Sequence, residues 1–97
     1  MSQIESLFED KAIKRSNILL FSKENALEFI DECRKRNIVI LGIDGFYLTE
    51  KTIQPSMDNS IDYSRRPFSE SIYEEAIGFL KNSDDKLYFE IVHNDGY

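Results

Sequence analysis

The side chains best placed to do chemistry are four carboxylates, Asp44, Glu50, Asp58 and Asp62, interleaved over one stretch of a 97-residue chain. Paired carboxylates perform acid and base work when a pocket drives their pKa values apart. Spacing alone creates no such pocket, and scattered loop acids are more often a solvated face than an enzyme site; a partner-binding surface is the further reading. The single histidine, His93, falls in the polar stretch HNDGY after the last apolar run, and no GxSxG, HExxH or CxxC motif accompanies it. Metal chemistry would call for clustered Asp, Glu and His, and phosphate binding for a glycine-rich loop; glycines 42, 45, 78 and 96 are scattered. The expectation is a non-enzyme without metal or cofactor.

The same stretch carries Phe46, Tyr47, Met57, Tyr63 and the pair Arg65-Arg66 among its acids. Tyr, Met and Arg are enriched in protein interfaces, where aromatic anchors sit inside a charged rim. Each residue also has a structural reading: Phe46 and Tyr63 as core, the arginines as flanks of a helix start. As a partner-binding set we take Asp44, Tyr47, Glu50, Asp58, Asp62 and Tyr63.

Charge points the same way. The net charge is −6, and residues 1 to 36 hold seven acids and seven bases, so the whole excess lies downstream. That sign disfavours direct binding to a nucleic-acid backbone and favours a basic protein partner. No apolar stretch approaches the roughly 20 residues of a membrane span, and the first residues lack signal-peptide order, so a cytoplasmic location is expected. The lone Cys33 fits a reducing compartment, as a small apolar residue on a helix. The length suits one domain.

The elements that must position these residues follow from periodicity. Ile4, Leu7 and Phe8 mark a short amphipathic helix over residues 2 to 13, with Ser2 as a possible cap. NILLF, residues 17 to 21, is a buried strand or a packed connector. Ser22 caps a helix from Lys23 to Arg36, whose last turn is basic and whose end suits a left-handed Asn37. IVILGI reads as a central strand; FYLT and TI pair across Glu50-Lys51, and Pro55 is expected to end the pairing. Ile61 and Tyr63 alternate as a short edge strand. After Pro67 a second helix starts, capped by Ser69 or Ser71 with Glu74 completing a capping box and Phe68 stapled to Tyr73. KLYFEIV closes as a half-buried strand with Leu87, Phe89 and Ile91 inward.

The fold class expected is α+β: a mixed, mainly antiparallel sheet of four or five strands with two or three helices packed on it, helix crossovers giving some parallel pairing. LGIDGFYL, residues 41 to 48, keeps two readings: a hairpin turn at Asp44-Gly45, or one long strand bent at Gly42 or Gly45. In the second, Asp44 shares a face with Ile38, Ile40, Phe46 and Leu48 unless a bulge turns it away.

The helix ALEFIDECRKRN, then IVILGIDGFYL, then QPSMDNSIDYS, then a C-terminal helix and LYFEIV together resemble small bacterial immunity proteins of polymorphic toxin and contact-dependent growth inhibition systems. The resemblance spans roughly residues 25 to 92. It implies neutralisation of a cognate toxin domain, such as a basic nuclease, by binding it in the cytoplasm. The alternative is a small regulatory or adaptor domain without catalytic activity.

Overall fold

The computed structural model describes residues 3–94. Its order is α1 (Gln3–Phe8) running into a 3-10 turn (Glu9–Lys11), β1 (Ile13–Arg15), β2 (Ile18–Leu20), α2 (Lys23–Lys35), β3 (Val39–Leu48), β4 (Ile53–Asp62), α3 (Ser71–Lys81) and β5 (Tyr88–Asn94). The α+β class is borne out: β4, β3 and β5 form one antiparallel sheet with β3 central, and β1 and β2 a separate antiparallel hairpin. The expected cap Ser2 lies outside the described residues.

Helix α2 is set by local chemistry. The Ser22 hydroxyl accepts the Asn25 N–H at 3.3 Å, and at the other end Asn37 adopts a left-handed φ of 57°. There Ile38 N–H donates to the Cys33 carbonyl and Asn37 N–H to that of Arg34, the paired bonds of a Schellman ending. Helix α3 begins differently from expectation. Glu70 precedes it without a side-chain cap, while the Ser69 and Ser71 hydroxyls bond each other, so no capping box forms. The Phe68 staple is present, its ring meeting Tyr73 edge to face at 5.4 Å. The end of α3 is served from α2: Lys23 Nζ donates to the Lys81 and Ser83 carbonyls and pairs with Asp85 at 2.7 Å.

The pairing departs from expectation in three places. No ladder is parallel, because β4 and β5 run in the same direction on either side of β3; α3 makes a crossover between them, but β3 occupies the gap. Pro55 does not end β4. It sits opposite Phe46 in an edge strand, at a position whose nitrogen faces the open edge and is asked for no ladder bond. Residues 13 to 15, of which the expected helix included only Ile13, form β1, and Ser16 and Asn17 with φ of 51° and 64° make a mirror-image two-residue turn into β2. The Glu50-Lys51 connection is as expected, closed by Thr49 N–H to Thr52 carbonyl.

All three helices cover one face of the sheet. Ile4, Phe8, Phe21, Phe29, Ile30, Ile40, Ile43, Ile72, Tyr73, Leu80, Phe89 and Ile91 are among the side chains of one continuous core. The inward alternation of Leu87, Phe89 and Ile91 is as the sequence implies. Tyr73 Oη donates to the Ile38 carbonyl at 2.7 Å, tying α3 to the start of β3.

Candidate interaction surface

Asp44-Gly45 is not a hairpin turn; residues 39 to 48 form one strand. A register shift against β5 between Ile40 and Gly42 inserts an extra residue, so Ile40 and Ile43 both face the core and Asp44 emerges on the opposite face. The glycines serve close approach rather than turning. A Cβ on Gly42 would lie 2.8 Å from the Ile61 carbonyl oxygen, and one on Gly45 would lie 2.5 Å from that of Asn59. Asn59 comes that close because β4 bulges: Asp44 pairs with Ser60 and Gly45 with Ser56, leaving residues 57 to 59 looped out. The loop is fastened by Asn59 Nδ2 to Ser56 Oγ at 2.9 Å, Ser60 Oγ to the Ser56 carbonyl at 2.9 Å, and Gly45 N–H to Ser60 Oγ at 3.3 Å. It holds Met57 out at 85% exposure beside exposed Asp58.

On the face away from the helices, rows of side chains follow from the register: Asp62, Gly42 and Val92, then Ser60, Asp44 and Glu90, then Pro55, Phe46 and Tyr88. The last row lies toward the β1–β2 hairpin. Arg15 donates to the Thr49 and Thr52 carbonyls, and Leu20 and Phe46 are buried apart from the main core. The other end is open. Asp44 and Asp62 line one shallow depression there with Leu41, Gly42, Ile61, Ser64 and Val92.

The six sequence-chosen residues therefore do not form one constellation. Asp44 and Asp62 meet; Asp58 stands on the edge bulge; exposed Tyr47 and Glu50 sit at the far end of the β3–β4 hairpin. Tyr63 is inside, 3% exposed, with Arg66 over its ring at 5.2 Å, so its contribution is packing. The Asp62 carboxyl is held below the usual range by the Ser64 hydroxyl and N–H donating to Oδ1, at 2.6 and 2.8 Å.

Two residues escaped the sequence reading. Glu90 lies directly opposite Asp44, and burial, then the Asp44 charge, then that of Glu5 raise its carboxyl above the ordinary range. Neither Asp44 nor Glu90 has a salt bridge among the described residues. The alternation of LYFEIV places Glu90 on the polar face, but only pairing register could set it against Asp44. His93 is not in a tail: it belongs to β5, its side chain 7% exposed, its ring tilted against Phe29 at 5.4 Å with Nε2 3.4 Å from Glu5 Oε2. Among the described residues no group of three or more His, Cys, Asp or Glu is arranged to hold a metal ion. No helix among them is long and apolar enough to cross a membrane.

Neither the protein-family models nor the curated proteins include a match to this chain.

Proposed function

We propose that the chain is an immunity protein: it binds and neutralises a cognate toxin domain in the cytoplasm, without chemistry of its own. The observation carrying this reading is the open sheet face on which Asp44 and Glu90 oppose each other with no counter-ion among the described residues, flanked by Asp62. Like charges directly opposed across two strands destabilise a free sheet. A fold that keeps them there gains when a basic surface docks, because the repulsion is relieved and encounter is accelerated. Exposed Met57 and Asp58 at the adjoining edge extend the same surface, on a bulge whose backbone is fastened by Ser56, Asn59 and Ser60 and so loses less entropy on binding.

The test is to look in the gene neighbourhood for a reading frame that encodes a large secreted protein and to co-express this chain with that protein's C-terminal domain. The expected result is co-purification that weakens with salt, protection of cells from that domain, and loss of both in an Asp44→Asn, Asp62→Asn double variant that remains folded by circular dichroism. Absence of such a neighbour, or unprotected cells, would sink the proposal.

A further inference from the structure

The β1–β2 hairpin meets β5 through the backbone at Phe21, the residue that follows β2. Phe21 and Phe89 exchange two backbone hydrogen bonds, each 2.8 Å, and there the ladder stops. The next pair whose backbone groups would face each other, Leu19 with Ile91, forms no backbone bond, and β2 parts from β5 to leave a cleft of about 310 Å³. Alternation points the backbone groups of Leu19 and Ile91 into this seam, as at an unpaired strand edge. Phe21, Phe29 and Ile91 supply apolar wall, and Glu5 from α1 and Glu90 from β5 supply carboxylates. Lys14 lines the cleft from β1 and makes no salt bridge to either acid.

We infer that this seam is a recognition site for an arginine carried on an extended segment of the partner. The guanidinium would lie against Glu5 and Glu90 with its stem along the phenylalanine rings, and the segment's carbonyls would face Lys14 and the open seam backbone. An arginine fits this lining better than a metal ion, because the walls are apolar and, among the described residues, no third His, Cys, Asp or Glu joins the two carboxylates to hold one. It fits better than a neutral apolar ligand, because Glu90 is already crowded by Asp44 and Glu5 and a cation relieves that crowding. The inference rests on the binding-protein reading for the partner's existence, but the site can be probed without the partner.

The experiment titrates isotope-labelled protein with acetyl-arginine-N-methylamide and, separately, with its neutral isostere acetyl-citrulline-N-methylamide, following backbone amide shifts. Saturable shifts centred on Leu19, Glu90 and Ile91 are expected for the arginine probe. The citrulline probe should bind about fivefold more weakly, the discrimination of one partly exposed charge pairing, and Glu90→Gln should erase the difference. Equal shifts from both probes, no saturable shift, or shifts centred on Asp62 would overturn the proposal. The two readings fail separately. Arginine binding in the seam without toxin co-purification leaves the site standing and removes the immunity function; toxin co-purification with no saturable arginine shift in the seam does the reverse.

Discussion

Replacing glycine by alanine should have opposite effects at two positions, and the difference is a direct check on the β4 bulge. At Gly45 the new Cβ would lie 2.5 Å from the Asn59 carbonyl oxygen, where ordinary contact begins at 3.4 Å, so backbone must move by most of an ångström. Asn59 cannot simply swing away, because its own amide is bound to Ser56 and the neighbouring Ser60 bridges Ser56 and Gly45. Overpacking of this kind costs about 1–3 kcal/mol, and a strained or lost bridge adds about 1 kcal/mol. Against this stands a gain of about 0.4–1 kcal/mol from restricting the unfolded chain. The net is a loss of roughly 1–3 kcal/mol, or a melting temperature lower by roughly 5–20 °C for a domain of this size. At Gly78, inside α3, a Cβ meets nothing within 4 Å. There helix propensity and chain entropy both favour alanine, and a rise of about 3–6 °C is expected. Thermal unfolding followed by far-ultraviolet circular dichroism on the two variants and wild type measures both. A Gly45→Ala variant as stable as wild type would show that residues 57 to 59 do not press on β3, and the rigid presentation of Met57 would go with it.

Three other outcomes follow from particular contacts. Tyr73→Phe strands the buried Ile38 carbonyl and should cost about 1–2 kcal/mol in denaturant midpoint analysis, whereas Tyr63→Phe, whose hydroxyl is buried without a partner among the described residues, should be neutral or stabilising. Lys23→Met should destabilise by about 1 kcal/mol, with hydrogen exchange accelerating first at the end of α3, since it removes the cation from the Lys81 and Ser83 carbonyls. Glu90→Gln should stabilise the free protein at neutral pH by about 0.5 kcal/mol, by ending the opposition to Asp44. Because the folded protein holds the Glu90 proton above the ordinary value of 4.5, this penalty is absent below that pH, grows as pH rises toward the raised value and levels off above it; the gain from Gln should grow in parallel and vanish below 4.5. A gain at pH 4 equal to that at pH 7 would refute the assignment.

What the sequence determined by itself was local. Ser22 and Asn37 bound α2 because a hydroxyl three residues from an amide and a residue tolerant of positive φ act within one turn of chain. The Thr49 to Thr52 connection and the inward Leu87, Phe89 and Ile91 were legible for the same reason, one being a four-residue turn and the other a period of two. The α+β class followed from adding such elements together. Tertiary structure decided everything that depends on which strand lies beside which. An extra residue between Ile40 and Gly42 turned Asp44 off the core face, and the register of β5 brought Glu90 against it from 46 residues away. The looped-out residues of β4 made Gly45 a steric necessity, an edge position let Pro55 remain in a strand, and continued pairing drew His93 out of an apparent tail. Side-chain type fixes how a segment prefers to fold; long-range backbone pairing fixes which carboxylates meet, and pairing between distant strands leaves no mark on either segment alone.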